Sequence, residues 1–245
     1  MFECKQTIGY QGILPDLRVS FPEFMKYIVE ASMLHCESTP YTLRWYMERG
    51  QAFVLTGWQL RVFSYPLWND TITIRTAPTE FKGVLASRAF EVLSAAGDTL
   101  ALANSSWIYL DMSTRKPVKP GAEHAAAFGP PVRPRLPADL KLPDHTGWVK
   151  LRETSFRVPR SAIDSNSHAN NCSYIEWATD NLPEGICESY SLREMRTRYR
   201  KECRLGDAVT VEALGRAGEA PGDFVCLVRG AADARILTEI WMRWE

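Results

Sequence analysis

One pattern is written twice in this chain of 245 residues: a helix with a wide apolar face, then several segments in which apolar and polar residues alternate. The first copy starts at Ser20-Phe-Pro-Glu23, a capping box with proline in the first turn. Phe24, Ile28 and Ala31 then recur at helical spacing, with Met25, Val29 and Ser32 beside them, over about four turns. A short strand over 5–11 and a lead-in over 14–19 precede this helix. Period-two strands are expected over 53–63, 70–75, 84–93 and 102–110, with turns at Pro66, Gly83 and Ala96-Gly97-Asp98.

The second copy repeats the order. A helix is expected over 170–182 and strands over 191–201, 208–214, 224–230 and 236–244. Asn69-Asp70-Thr-Ile-Thr-Ile74 resembles Gly206-Asp207-Ala-Val-Thr-Val211, and Leu102-Ala-Asn-Ser-Ser-Trp107 resembles Ile236-Leu-Thr-Glu-Ile-Trp241. Order shared at this length points to a duplicated helix-plus-sheet unit. Between the copies, residues 111–148 hold seven of the fifteen prolines and read as a surface linker without a fold of its own. The expected architecture is α+β: a tandem hotdog, each half an antiparallel sheet wrapped on a long apolar helix. The halves fall at 1–115 and 149–245, with the linker at 116–148. Pairing the two sheets edge to edge into one continuous sheet would remove an exposed edge from each.

The halves differ where they meet solvent chemistry. The turn before the first helix, read as Arg18-Val-Ser-Phe-Pro22, carries no carboxylate, amide or imidazole. Asp164-Ser-Asn-Ser-His168 before the second carries all three at two-residue spacing, which on an extended segment projects them to one side. Asn170-Asn171 then supplies cap chemistry, and Tyr174-Ile-Glu-Trp-Ala178 opens the helix, setting the polar trio at a helix N-terminus suited to an oxyanion.

Composition excludes several classes. Lys+Arg and Asp+Glu balance at 29 each, so no global charge favours nucleic acid. No apolar run approaches the length of a membrane span, and the start Met-Phe-Glu-Cys-Lys-Gln lacks the regions of a signal peptide, so a cytoplasmic protein without membrane insertion is expected. Six cysteines show no metal spacing and read as reduced, packed thiols, with no metal and no organic cofactor expected. His35, His124 and His145 sit in polar or linker contexts and receive no role.

Two motifs carry a resemblance to the acyl-acyl carrier protein thioesterases of plant plastids and their bacterial relatives. The family's D-x-N-x-H-x-N-N-x-x-Y pattern is matched at Asp164, Asn166, His168, Asn170, Asn171 and Tyr174, and its Y-R-R/K-E-C pattern at Tyr199-Arg-Lys-Glu-Cys203. Weaker likeness covers Tyr65-Pro-Leu-Trp-Asn-Asp70. Without a plastid transit segment the chain looks like a bacterial member. The resemblance implies hydrolysis of the thioester between a fatty acyl chain and acyl carrier protein (ACP), the step that terminates fatty acid synthesis. Its catalytic set would be Asp164, Asn166, His168 and Glu202, with Cys203 an alternative nucleophile in a papain-like arrangement. Asn170, Asn171, Tyr174, Arg198 and Arg200 would bind substrate. Six basic residues between Arg193 and Arg204 would steer an acidic carrier protein. The rival readings are an acyl-CoA thioesterase, dehydratase chemistry on the same fold, and a non-catalytic acyl-binding module. Pairing of two chains stays open.

Overall fold

The computed structural model describes residues 1–216 and 222–245 and divides into two compact units, Met1–Asp139 and Leu140–Glu245. In the first unit the chain runs β1 (Phe2–Thr7), α1 (Phe21–Glu37), α2 (Leu43–Arg49), β2 (Gln51–Val62), β3 (Thr71–Lys82), β4 (Leu85–Leu93), β5 (Thr99–Asp111), β6 (Lys116–Pro117) and α3 (Ala122–Ala127). Its antiparallel sheet has the order β1-β3-β4-β5-β2, with β6 paired to the end of β5. In the second unit β7 (Val149–Arg157) is followed by a 3-10 turn at Arg160–Ala162 and by α4 (Asn171–Asp180), α5 (Ile186–Ser189), β8 (Leu192–Tyr199), β9 (Ala208–Gly215), β10 (Asp223–Gly230) and β11 (Ile236–Trp244). The order there is β7-β9-β10-β11-β8. Taken by rank within each unit, both sheets read 1-3-4-5-2, so the duplication seen in the sequence is a duplication of topology.

Each sheet is organised by its helix. Phe21, Phe24, Met25, Ile28, Ala31, Ser32 and His35 form the buried face of α1, which packs on β1 and β3. Phe24 and Ile28 lose all accessible surface, each contributing roughly 1.5–3 kcal/mol. α4 buries Tyr174, Ile175 and Ala178 and packs on β9, β10 and β11. The two units are the expected pair of hotdogs.

Two local expectations are corrected, and one helix is found that the sequence did not announce. The first strand is Phe2–Thr7 rather than 5–11: Ile8 leaves the ladder to donate its N–H to Asp70 O (2.9 Å), and the chain then turns through Gly12 at φ +77°. Residues expected before the second strand form α2, capped by the Thr42 side chain and ended by Gly50 at φ +60°. Only Tyr46 of α2 is buried, so no apolar stripe announces it. The proline-rich stretch is not structureless. β6 and α3 lie in it, Val132 N–H bonds Pro78 O (2.9 Å), and the Asn104 amide donates to Leu136 O (2.9 Å), so it folds onto the first unit as far as Asp139.

Candidate active site

The Asp164–His168 segment is a tight hairpin rather than an extended run. Ile163 and Ala169 form a bridge, Asp164 N–H donates to His168 O (2.9 Å), and Ser167 takes φ +62°. Asp164 uses Oδ1 to accept the Asn166 N–H (2.8 Å), an Asx turn that closes the tip. Asp164 and His168 are half-buried and Asn166 is exposed. What the fold brings together is His168 and Glu202, 34 residues apart in the chain. His168 Nε2 lies 3.2 Å from Glu202 Oε2.

A backbone bond secures that pairing. Ala169 N–H donates to Cys203 O (2.9 Å), tying the residue after His168 to the residue after Glu202. Cys203 is pinned in turn: its N–H donates to Tyr174 Oη (3.0 Å) and its Sγ lies 3.1 Å from the same oxygen. Burial raises the Cys203 thiol above its ordinary range, and burial likewise pushes the Tyr174 hydroxyl up, so both stay protonated. Asn170 caps α4 by accepting the Cys172 N–H on Oδ1 (2.8 Å), and Asn171 O accepts the Tyr199 hydroxyl (3.1 Å). Asn170 and Asn171 therefore spend these contacts on the helix start. Arg198 is exposed, and Arg200 Nε donates to the buried Glu239 (2.7 Å). Neither the Tyr174–Cys203 contact nor the Arg200–Glu239 pair had a signal in the sequence, because each joins segments 29 or more residues apart. Among the described residues no group of three or more His, Cys, Asp or Glu side chains is placed to hold a metal ion.

The first unit builds the same hairpin. Ile13 and Val19 form the bridge, Leu14 N–H donates to Arg18 O (2.8 Å), Leu17 takes φ +68°, and Val19 N–H donates to Pro66 O (3.1 Å). The counterparts of Asp164, Asn166, His168 and Glu202 are thus Leu14, Asp16, Arg18 and Tyr65. The counterpart turn is not Arg18–Pro22 and does carry a carboxylate, but Asp16 is ion-paired with Arg18 and no imidazole–carboxylate couple is present there.

Both units match models of one family. The acyl-ACP thioesterase N-terminal domain matches residues 2–128 and the acyl-ACP thioesterase C-terminal domain matches 149–240. The chain belongs to the acyl-ACP thioesterase family. Among relatives of this family, an oleoyl-acyl carrier protein thioesterase 2 of Arabidopsis thaliana is 27% identical over 183 residues, 70% of this chain and 48% of the relative. A palmitoyl-acyl carrier protein thioesterase of the same plant is 28% identical over 223 residues, 83% of this chain and 52% of the relative. The chain spans about half the length of these plant relatives. A solved 12:0-ACP thioesterase from Umbellularia californica superposes with a TM-score of 0.82 at 21% identity, covering 100% of this chain and 93% of that one. An acyl-ACP thioesterase from Bacteroides thetaiotaomicron does so with 0.81 at 16% identity, covering 100% and 97%. At such identities the superpositions speak to the fold, which is that of the acyl-ACP thioesterases throughout.

Proposed function

We propose that this chain hydrolyses the thioester of a fatty acyl chain on ACP, releasing a free fatty acid and the carrier protein's thiol. The observation that carries the reading is the His168–Glu202 pair, within a chain whose two halves match the two domains of one thioesterase family. A thioester has a good leaving group, so the reaction needs an activated nucleophile and a way to hold the developing oxyanion. With Nε2–H donated to Glu202, the His168 ring is basic at Nδ1 and takes a proton from water. The water oxygen bonds to the acyl carbon, the C–S bond breaks, and the imidazolium returns the proton to the departing thiolate. Asp164 orients the water. The exposed Asn166 amide donates to the acyl oxygen. Cys203 is disfavoured as nucleophile because its thiol is buried, held protonated and engaged by Tyr174.

The partner is ACP, drawn by the exposed basic residues around the site, and the compartment is the cytoplasm. The test is thiol release from a panel of acyl-ACP and acyl-CoA substrates by the native protein and by Asp164→Ala, Glu202→Gln and Cys203→Ala. Turnover of acyl-ACP that collapses only in the carboxylate variants supports the reading. A native protein inert on every acyl-ACP, or one that prefers acyl-CoA, overturns it.

A further inference from the structure

Arg88, on β4 of the first unit, is a cation that the fold encloses without an anion. Its guanidinium is surrounded almost completely by protein, yet the residue keeps some accessible surface. Nη1 donates to His35 Nδ1 (2.8 Å) and to Thr76 Oγ1 (3.2 Å), and the Phe128 ring lies 5.7 Å from the guanidinium carbon. Nε and Nη2 make no hydrogen bond among the described residues. The other ionisable groups facing the cation are Cys36 and Tyr46, and burial raises both, so neither supplies a negative charge. His35 accepts at Nδ1 and therefore carries its proton on Nε2 and no charge. An enclosed guanidinium without a counter-ion is costly, and an anion that completed it would offset that cost.

The duplicated scaffold does not need this cation. By sheet register, Arg88 faces Ser105 as Phe224 faces Met242, and Thr76 faces Phe90 as Ala213 faces Cys226. The counterparts of Arg88 and Thr76 in the second unit are thus Phe224 and Ala213, both buried and apolar. The polar group in the first unit is an addition to a frame that closes without it. Its surroundings are apolar rings: Phe2 stacks on His35 at 4.9 Å and Phe128 meets the same ring edge-on at 5.4 Å.

We propose that the first unit carries a binding site for a fatty carboxylate, the headgroup taken in a fork by the unused N–H groups of Arg88 and the chain lying against the surrounding apolar side chains. The site does not rest on the thioesterase reading, and its test reads binding rather than turnover. Titration calorimetry of the full chain compares decanoate, decan-1-ol, acetate and inorganic phosphate, all below micellar concentration. Decanoate should bind at least about tenfold more tightly than the alcohol, acetate or phosphate, the difference expected of a charge-assisted hydrogen-bonded pair. Arg88→Gln should abolish that preference while leaving decanol binding as it was. In the native protein, decanoate labelled with carbon-13 at the carboxyl should titrate at a lower pH bound than free, since a neighbouring cation favours the anion. Equal binding of acid and alcohol, no binding of decanoate, unchanged decanoate affinity in Arg88→Gln, or an unshifted carboxyl titration each overturns the proposal.

Discussion

His168 Nε2 and Glu202 Oε2 lie 3.2 Å apart although neither residue's own segment would hold it there. The pairing depends on the Ala169–Cys203 backbone bond, which stitches the hairpin to the segment after β8. Replacing Glu202 by glutamine keeps the side chain's size and removes the carboxylate that pairs with His168 Nε2. We expect kcat for thiol release to fall by about 10²–10⁴-fold while the melting temperature stays close to native. A loss below tenfold would mean that Glu202 is only a neighbour of His168.

Cys203 and Tyr174 separate two roles that the motif alone leaves joined. With its thiol buried and its N–H on Tyr174 Oη, Cys203→Ala should keep activity within a few-fold of native, and the native thiol should resist iodoacetamide at pH 8. Tyr174→Phe removes the acceptor of the Cys203 N–H, and a buried donor left without a partner costs about 1–3 kcal/mol. It should therefore destabilise the protein and loosen Glu202, lowering kcat more than it changes KM. A Tyr174→Phe enzyme with native kcat and a raised KM would instead return Tyr174 to direct substrate contact.

Two histidines that received no role in the sequence govern the response to acid. Burial holds both His35 and His124 at about 4, below the ordinary value near 6.5, and His35 is pushed further by Arg88. His124 is packed among aromatic rings with Nε2 2.5 Å from the Tyr46 hydroxyl. Their folded values are depressed, so above about pH 6.5 they leave stability unchanged. As the pH falls from there to about 4 the unfolded chain binds protons that the folded one refuses, and stability is lost; below about 4 the loss levels off. Unfolding near pH 5 should take up about two protons from this pair, a slope on the order of 5–10 °C in Tm per pH unit. Melting curves between pH 8 and 4.5 check this, and a flat Tm from pH 6.5 to 4.5 would refute it.

The duplication was legible because both copies solve the same turn in the same way. Asp70 and Asp207 each accept the N–H of the residue three places earlier, at Leu67 and Arg204, and Asn69 and Gly206 each take positive φ. Side chains that build a local turn leave a local pattern. The motif at Asp164–Tyr174 was readable for the same reason, since its spacing is set by one hairpin and one helix start. β7 was hidden because it is an edge strand whose residues are nearly all exposed, so it lacks the alternation that marks a half-buried strand. Arg88 was hidden because its partner His35 lies 53 residues away on another element, and nothing local marks a buried cation.

Lys201 and Arg204 flank the Glu202-Cys203 pair, and both are exposed. On the proposed function their charges would meet an acidic carrier protein before the acyl chain reaches His168, and exposed charges act over roughly 10 Å at 0.1 M salt. Reversing both, Lys201→Glu with Arg204→Glu, should raise KM for acyl-ACP by about tenfold at low ionic strength. The native KM should itself climb with salt, so that the two proteins converge near 0.5 M, where screening shortens the reach of exposed charges to roughly 4 Å. A small acyl thioester without the carrier protein should be hydrolysed by both at the same rate, because the reacting groups are untouched. If the doubly reversed protein kept the native KM for acyl-ACP at low salt, the carrier protein would have to approach by another face of the chain.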